Sequence, residues 1–336
     1  MPSIPYLFSP IALWEVYLRR CFVASGLSAR AVMVDTEART TVHFWSPAKG
    51  PDPKKPSLVL VHGFGPIAIW QWRKQVEFFA PRFNVYVPDL LFFGGSSTAS
   101  SERSETFQAK AIGRLLVDEL KLERFTVVGT SYGGFVSYRM AEMWPEKVER
   151  VVIASSGVNM RRRDNEELVK KAGVGKIDEL MLPTTPAHLR SLLDLVIFRQ
   201  LSLVPNFMLN DAIHKLLSDK REEKMELLKG LTLGRDDNPR VSPLKQEVLL
   251  VWGEHDQLFP LAMATELKQY DFLCFNKISI HAASPLISLL LIGLVQCRLL
   301  GEKAKLEVMK MASHVPQIED PQGFNDVVSN FICGPR

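Results

Sequence analysis

The stretch that decides the fold reads Phe125-Thr-Val-Val-Gly-Thr-Ser-Tyr-Gly-Gly-Phe135. Its first four residues are apolar or β-branched and predict a short buried strand. The residues from Phe135 onward predict a helix, so the strand turns sharply into a helix around the pattern G-x-S-x-G. Ser131 is expected at the tip of this turn in a strained backbone conformation. Gly129 and Gly133 are expected because neighbouring strand and helix atoms leave no room for a Cβ.

The pattern alone leaves two interpretations open. One is a nucleophile elbow, in which the serine at the turn attacks a substrate. The other is a glycine-rich turn between a strand and a helix that carries a surface serine. The first interpretation requires a base, an acid and an oxyanion hole in the right chain order, so the rest of the chain decides between them.

Composition restricts the class of protein. The chain has 336 residues, of which 46% are hydrophobic and 23% charged, as is ordinary for a globular protein. Its net charge of +4 is small for this length, and the basic residues are dispersed apart from Arg161-Arg-Arg163, so no nucleic-acid partner is expected. The four cysteines, Cys21, Cys274, Cys297 and Cys333, have no C-x-x-C spacing and are expected to be reduced thiols in a cytoplasmic protein.

Apolar strands alternate with amphipathic helices over most of the chain. This alternation predicts an α/β fold, in which a mostly parallel sheet is covered by helices on both faces. The predicted strands are a pair at Ala31–Val34 and Thr41–Trp45, then Ser57–Val61, Asn84–Asp89, Phe125–Val128, Val148–Ala154, Glu247–Trp252 and Lys305–Met309. The predicted helices are Trp70–Ala80, a stripe from Ile112 to Leu120, the helix from Phe135, Pro260–Gln269 and Pro321–Phe331.

Two segments depart from this alternation. Residues 158–241 lose the strand signal and contain helical patterns at 166–171, 186–196 and 211–217. This predicts a helical cap inserted between strands of a core formed by residues 31–157 and 242–333. Residues 1–30 form an apolar N-terminal segment whose basic residues follow the apolar part, which is the wrong layout for a secretory signal. Pro10 opens a predicted helix in it. This helix is expected to dock on the domain, the alternative being a position on a membrane surface.

Four motifs follow one another in order, each at a strand end. H-G-x-G begins at His62, G-x-S-x-G-G at Gly129 and G-x-x-D-x-x-x-P at Gly253, and His314 follows the last strand. With these motifs the chain resembles the α/β-hydrolase fold superfamily, in its serine-type branch with a helical cap. It is similar to plant α/β-hydrolases, to monoacylglycerol-lipase-like members and to hydrolases of carbon–carbon bonds. The resemblance covers about residues 31–333 and implies an α/β-hydrolase fold.

The resemblance implies a catalytic triad. Ser131 would be the nucleophile, His314 the base that takes its proton, and Asp256 the carboxylate that orients the imidazole. Glu254 is the alternative acid, two residues earlier. Only His314 follows a strand end late in the chain. The other histidines lie in a turn, a strand, the cap, beside the acid or in an apolar insertion: His62, His43, His188, His214, His255 and His281.

An oxyanion hole needs two rigid N–H groups aimed at the developing negative charge. One is expected from Tyr132, the residue after the nucleophile, at the positive end of its helix. The family pattern gives the other to Phe64. His62 would then be structural, and close packing is expected of three further glycines, Gly63, Gly65 and Gly134.

The resemblance favours ester chemistry without a cofactor. Epoxide hydrolases and haloalkane dehalogenases on this fold use an aspartate where Ser131 stands, and epoxide opening uses cap tyrosines, which residues 158–243 lack. The expected function is a serine hydrolase that cleaves a carboxylic ester or acylglycerol with a small to medium apolar acyl group. The alternatives are a carbon–carbon bond hydrolase, suggested by the loop His62–Pro66, and a non-catalytic ligand receptor or a product inactivated by its insertion.

That apolar insertion comprises residues 271–299, which the family pattern does not require. Within it, residues 278–297 contain no Asp, Glu, Lys or Arg. A membrane span there would put Asp256 and His314 on opposite sides of the bilayer. A hairpin in one leaflet, a helix packed on the domain and translated non-coding sequence remain as interpretations. Peripheral membrane contact is thus expected, if at all, through this segment or the N-terminus.

Overall fold

The computed structural model describes residues 9–199, 204–238, 241–268, 300 and 303–334. The described residues form one eight-stranded sheet. Its strands are β1 (Leu27–Asp35), β2 (Thr40–Pro47), β3 (Ser57–Val61), β4 (Asn84–Pro88), β5 (Phe125–Thr130), β6 (Val148–Ala154), β7 (Glu247–Gly253) and β8 (Ala304–Met309). They lie in the order β1-β2-β4-β3-β5-β6-β7-β8, with β1–β2 and β2–β4 antiparallel and the other pairs parallel. The predicted fold class is confirmed.

Helices flank the sheet and cross between its strands. In the core these are α1 (Pro10–Ala24), α2 (Ala68–Phe79), α3 (Glu105–Gly113), α4 (Tyr132–Met143), α10 (Leu261–Lys268), α11 (Pro316–Glu319) and α12 (Pro321–Cys333). Between β6 and β7 lie α5 (Arg162–Ala172), α6 (Ile177–Met181), α7 (Pro186–Val196), α8 (Asn206–Ala212) and α9 (Arg221–Gly230). Helices α3 and α8 each continue as a π-helical turn, over Arg114–Glu119 and Ile213–Leu217.

Successive residues of the parallel strands point into two different hydrophobic clusters. In β3, Leu58 and Leu60 pack with α1, α2 and α12, whereas Val59 and Val61 pack with α3, α4 and α10. All four side chains are fully buried. Because helices cover both faces of the sheet, the side chains on both faces are apolar. Each strand therefore appears in the sequence as a continuous apolar run.

Element boundaries differ from the predictions at a few places. The elbow helix α4 begins at Tyr132 rather than Phe135, because Ser131 is the turn residue and the helix starts directly after it. The predicted helix from Ile112 to Leu120 comprises the end of α3 and the π-helical turn that follows it. Strand β1 begins at Leu27, before the predicted start of the core at residue 31. Helices α6 and α9 were not predicted from sequence.

Helix α1 packs on the domain. Ser9 caps its first turn by accepting the N–H of Ala12, and Pro10 follows as a favourable first residue. Leu18 and Phe22 are buried in the cluster that also contains Trp72 of α2. The N-terminal helix therefore covers one face of the sheet.

The apolar insertion at residues 271–299 lies outside the described residues, as does His281. Its flanks are described: the Leu300 N–H donates to the Leu267 carbonyl oxygen at 3.3 Å, and Leu300 is buried. The end of α10 and the approach to β8 thus meet directly. Across the described ranges, no helix has the length and apolar character that crossing a bilayer requires.

Candidate active site

The predicted elbow is a sharp turn between β5 and α4. Ser131 has φ 52° and ψ −122°, a conformation that L residues rarely adopt and that costs about 1–3 kcal/mol. The surrounding structure holds it there: the Ser131 N–H donates to the Ala154 carbonyl oxygen at 2.9 Å, and its carbonyl oxygen accepts the Ser156 hydroxyl at 2.6 Å. The strained turn presents the Ser131 side chain at the carboxyl end of the sheet.

Two glycines of the motif are required by close backbone approach. A Cβ on Gly129 would overlap the Gly133 carbonyl group, and a Cβ on Gly133 would overlap the carbonyl oxygens of Val61 and His62. No backbone atom can move away at either position without separating the helix from the sheet. The elbow can form only with glycine at both places.

The other motif glycines divide into two kinds. A Cβ on Gly63 would lie 3.0 Å from the Ser131 Cβ, and one on Gly134 would overlap Ser156, so both are positions of close packing. For Gly65 that prediction is wrong. No atom lies within 4 Å of a Cβ there, and the residue is instead needed for its φ of +128°.

Ser131, His314 and Asp256 meet although they are far apart in the sequence. The Ser131 Oγ lies 2.9 Å from His314 Nε2, and His314 Nδ1 lies 3.0 Å from Asp256 Oδ2. The His314 and Asp256 side chains are only 5% and 0% exposed. With Nδ1–H donated to the carboxylate, the lone pair of Nε2 faces the serine hydroxyl, which is the arrangement that proton removal requires.

Asp256 is itself held by backbone donors. Its Oδ1 accepts the N–H groups of Leu258 and Phe259, both at 2.9 Å. These bonds fix the orientation of the carboxylate toward His314. The alternative acid, Glu254, is 47% exposed and faces His255 at 3.9 Å instead of His314. The structure therefore brings Asp256, and not Glu254, to the histidine.

The remaining described histidines lie elsewhere. His43 in β2 pairs with Asp89 at 2.8 Å, and His255 stacks on Phe198. His188 lies in α7 and His214 in the π-helical turn after α8. None of these four takes the place of His314 beside Ser131.

His62 holds the loop that follows β3. The Leu90 N–H donates to His62 Nε2 at 3.0 Å, so Nδ1 carries the hydrogen and donates to the Gly63 carbonyl oxygen at 2.8 Å. Burial lowers the pKa of His62 and keeps the ring neutral. Gln71 accepts the Gly63 N–H at 2.9 Å, so the loop is fixed from two sides.

Phe64 and Tyr132 border the serine from two directions. Phe64 follows Gly63, whose Cα packs against the elbow, and Tyr132 is the first residue of α4. Backbone N–H groups at the first turn of a helix have no partner within the helix. The two rings lie 6.3 Å apart. Both residues thus lie close to Ser131, and their role as oxyanion donors stays a prediction.

The loop that carries His314 is fastened to the cap, which the sequence did not indicate. Glu319 accepts the N–H of Phe198, which follows α7, at 2.6 Å and the N–H of Ser313 at 2.7 Å. The His314 N–H donates to the Val196 carbonyl oxygen at 3.1 Å. The position of the histidine therefore depends on the end of α7 as well as on β8.

A cavity of about 490 Å³ opens onto Ser131 and His314, within the usual range of ligand pockets. One side of its wall is apolar and comes from α1 and the cap: Trp14, Leu18, Met181, Leu189, Leu192, Leu193, Val196, Leu209, Ala212, Leu216 and Leu217. Polar lining side chains come from α2 and α11: Gln71, Arg73, Lys74, Gln75 and Gln317. The contribution of α1 was not predicted. Among the described residues, no group of three or more His, Cys, Asp or Glu side chains is arranged to hold a metal ion.

Comparison with known proteins decides the family. A family model for the alpha/beta hydrolase fold matches residues 56–283. The chain belongs to the α/β-hydrolase fold family. A relative within it is the 2-hydroxy-6-oxononadienedioate/2-hydroxy-6-oxononatrienedioate hydrolase of Escherichia coli, 22% identical over 92% of this chain and 96% of the relative.

Solved α/β-hydrolase structures share the fold over almost the whole chain. A bacterial membrane phospholipase A superposes with a TM-score of 0.68 at 21% identity, covering 96% of this chain and 90% of its own. A putative lipase from Acinetobacter baumannii gives 0.70 at 17% identity, with 95% of both chains covered. A 2-hydroxy-6-oxo-6-phenylhexa-2,4-dienoate hydrolase from Rhodococcus gives 0.64 at 19% identity, covering 91% of this chain and 98% of its own. Both ester-cleaving and carbon–carbon-cleaving enzymes are thus among the similar hydrolases.

Proposed function

We propose that this α/β-hydrolase cleaves a carboxylic ester or an acylglycerol through an acyl-enzyme on Ser131. The observation that carries the proposal is the 2.9 Å contact between Ser131 Oγ and His314 Nε2, with Nδ1 turned to Asp256. A serine hydroxyl becomes a nucleophile when a positioned base removes its proton. This site supplies the base and the carboxylate that orients it.

In the proposed first half-reaction, Ser131 Oγ attacks the ester carbonyl carbon while His314 Nε2 takes the hydroxyl proton. The N–H groups of Phe64 and Tyr132 would stabilise the oxyanion of the tetrahedral intermediate. Collapse of this intermediate breaks the ester C–O bond, and His314 returns the proton to the leaving alcohol. Asp256 stabilises the imidazolium while it exists.

In the second half-reaction, water attacks the acyl-enzyme. His314 takes a proton from the water, the bond between the acyl carbon and Ser131 Oγ breaks, and the proton passes to the serine. The products are the carboxylic acid and the regenerated enzyme. The atoms and protons of the two half-reactions balance with the substrate, water and these side chains alone, so the proposal needs no cofactor.

The cavity wall favours an apolar acyl group over a dicarboxylate. The Escherichia coli relative is named for a dienedioate, whose two carboxylates call for cationic partners in the pocket. Among the described residues, the lysine and arginine side chains that line this cavity are Arg73 and Lys74, and both pair with Glu77. The part of the wall that α1 and the cap form is mostly aliphatic. A fatty acyl chain suits such a surface, because burying it costs no charge.

Carbon–carbon bond hydrolysis is the second candidate. It is favoured by the similarity to the Escherichia coli and Rhodococcus hydrolases, each covered almost completely. It is also consistent with the loop His62–Pro66. In this case Ser131 and His314 would act on an activated ketone, and the same residues would be required.

The test is a substrate panel given to the full chain. Initial rates would be measured with p-nitrophenyl esters of increasing chain length, a monoacylglycerol and a 2-hydroxy-6-oxo ring-cleavage product. We expect ester hydrolysis that Ser131→Ala lowers about 10⁴-fold or more. Ser137→Ala, in the same helix, is the matched control because its buried hydroxyl makes no hydrogen bond within the described residues.

Three results would contradict the proposal. Turnover of the ring-cleavage product alone would establish the second candidate. A folded protein that turns over no compound of the panel would favour the non-catalytic interpretation. Equal ester rates for wild type and Ser131→Ala would show that another group performs the reaction.

A further inference from the structure

The outward face of α1 is apolar. Leu13, Val16 and Tyr17 lie on it at the i, i+3, i+4 spacing of one helix face, and they are 53%, 48% and 44% exposed. The opposite face buries Leu18 and Phe22 in the core. A helix that packs on one side normally turns polar side chains toward water, whereas this face carries one charged side chain, Arg20, at i+4 from Val16 and is otherwise more apolar than a solvated surface.

This face borders the mouth of the cavity that leads to Ser131. Trp14 follows Leu13 directly on α1, lines the cavity and is 46% exposed. Ile318 and Lys74 line the same cavity and are also about half exposed. The exposed apolar face of α1 and the entrance for substrate are therefore continuous.

The cap extends the apolar surface. The Asp211 carboxylate accepts the Ser9 hydroxyl at 2.8 Å and the Ile11 N–H at 3.0 Å, which joins α8 to the start of α1. Phe207 lies one turn before Asp211 on α8 and is 64% exposed. Residues four apart share a helix face. We call Leu13, Trp14, Val16, Tyr17 and Phe207 together the mouth patch.

The charges beside the mouth patch are mainly positive. Helices α1 and α2, which pack against each other, carry four cationic side chains and two carboxylates: Arg19, Arg20, Arg73 and Lys74 against Glu15 and Glu77. Glu15 pairs with Arg19, and Glu77 pairs with both Arg73 and Lys74, so the two helices keep a net positive charge that includes Arg20. A surplus of basic residues next to an apolar surface suits a bilayer that contains anionic headgroups.

We propose that the mouth patch rests on a lipid surface with anionic headgroups, from which the acyl chain of the substrate enters the cavity beside Trp14. The inference rests on the proposed function and narrows its substrate class to membrane-borne lipid esters. Helix α1 would lie on the surface without crossing it. It has 15 residues where a span needs about 20, and Leu18 and Phe22 anchor it in the core.

The position of the mouth patch favours lipid over a protein partner. A protein seated on α1 and α8 would cover the entrance at Trp14 and block the substrate. A bilayer in the same place offers an apolar phase continuous with the aliphatic wall of the cavity, so an acyl chain can pass between them without exposure to water.

The test is sedimentation of the full chain with vesicles of phosphatidylcholine alone and of phosphatidylcholine with phosphatidylserine. We expect wild type to sediment with the mixed vesicles and less with phosphatidylcholine alone. The double variant Leu13→Glu/Val16→Glu should bind at least about tenfold more weakly, because the replaced side chains supply apolar contact area. Met33→Glu/Val308→Glu, on two exposed apolar side chains of the edge strands β1 and β8, should bind like wild type.

Three outcomes would overturn the inference. In the first, wild type stays in the supernatant, and in the second, Leu13→Glu/Val16→Glu sediments like wild type. In the third, wild type is a dimer that this variant dissociates, so that a second copy of the chain covers the mouth patch. Sedimentation is read without turnover, and p-nitrophenyl butyrate hydrolysis is measured in parallel. A failure of the proposed function would therefore appear as absent hydrolysis, separately from the binding result.

Discussion

Two regions of this α/β-hydrolase meet at Ser131 and are built in different ways. The catalytic edge, residues 62–65, 129–134, 253–256 and 312–319, is fixed by backbone atoms: a strained serine, glycines without room for a Cβ and N–H bonds to carboxylates. The pocket wall, formed by α1 and α6–α8, is held by aliphatic side chains. Under the proposed function, we expect the rate of the reaction to be sensitive to single atoms of the catalytic edge and the acyl preference to change with side-chain volume in the pocket wall.

The largest effect is expected from the acid of the catalytic edge. Asp256→Asn removes the charge that stabilises the imidazolium and disfavours the tautomer in which Nε2 accepts, so kcat for ester hydrolysis should fall about 10⁴-fold. Glu254→Gln is the matched control and should stay within about twofold, because its side chain is exposed and turned away from His314. Similar losses of kcat in both variants would contradict the assignment of Asp256 as the acid of the triad.

The backbone character of the catalytic edge is tested by Gly129→Ala. A single methyl group there overlaps the carbonyl group of Gly133, and we expect the free energy of unfolding to fall by about 3 kcal/mol or more. Gly175→Ala is the control, since its Cβ would meet only the flexible Glu179 carboxylate, and it should change stability by less than about 0.5 kcal/mol. Urea unfolding compares the two, and equal stabilities would contradict the steric argument.

Glu319 joins the two regions, so its removal should give an intermediate effect. Glu319→Ala leaves the N–H groups of Phe198 and Ser313 without their acceptor and loosens the loop that carries His314. We expect kcat to fall about 10- to 100-fold with a smaller change in KM, because the histidine is misplaced and the cavity is not.

Two further variants separate positioning from loss of charge. Glu319→Gln should recover only part of kcat, because its amide oxygen can accept one N–H while its NH₂ group faces the other. Glu307→Ala removes an exposed carboxylate of β8 and should leave kcat unchanged. Full activity in Glu319→Ala would show that the position of His314 does not depend on contacts with the cap.

The smallest effect is expected in the pocket wall. Leu192→Trp narrows the cavity, so hydrolysis of a long-chain p-nitrophenyl ester should fall about tenfold while the butyrate rate changes less than about threefold. Ser191→Trp adds the same bulk on the exposed side of α7 and should change neither rate. Equal losses for both chain lengths in Leu192→Trp would place this residue at the reacting atoms.

The sequence predicted the catalytic edge well because backbone constraints leave residue signatures. Gly129 and Gly133 are marked by their missing side chains, and the buried strands by apolar runs. Ser131, Asp256 and His314 each follow a parallel strand, and the carboxyl ends of such strands meet at one edge. Their positions at strand ends narrowed the candidates, and the resemblance to the family assigned the roles of nucleophile, acid and base.

The links to the pocket wall were not predictable in the same way. Glu319 bonds to N–H groups, which every residue except proline carries, so its partners leave no mark in the sequence. Trp14 reaches the cavity through the packing of α1 between α2 and α8, which no local pattern encodes. Close packing was the wrong explanation for Gly65, because a positive φ and a close contact both select glycine and the sequence does not distinguish them.

The central claim is that Ser131 is the nucleophile of this chain. The most direct measurement is reaction of the full chain with a fluorophosphonate probe, followed by peptide mass spectrometry to locate the adduct. The account predicts one adduct, on the peptide that contains Ser131, and none in Ser131→Ala. An adduct on another residue, or labelling that persists in Ser131→Ala, would contradict it.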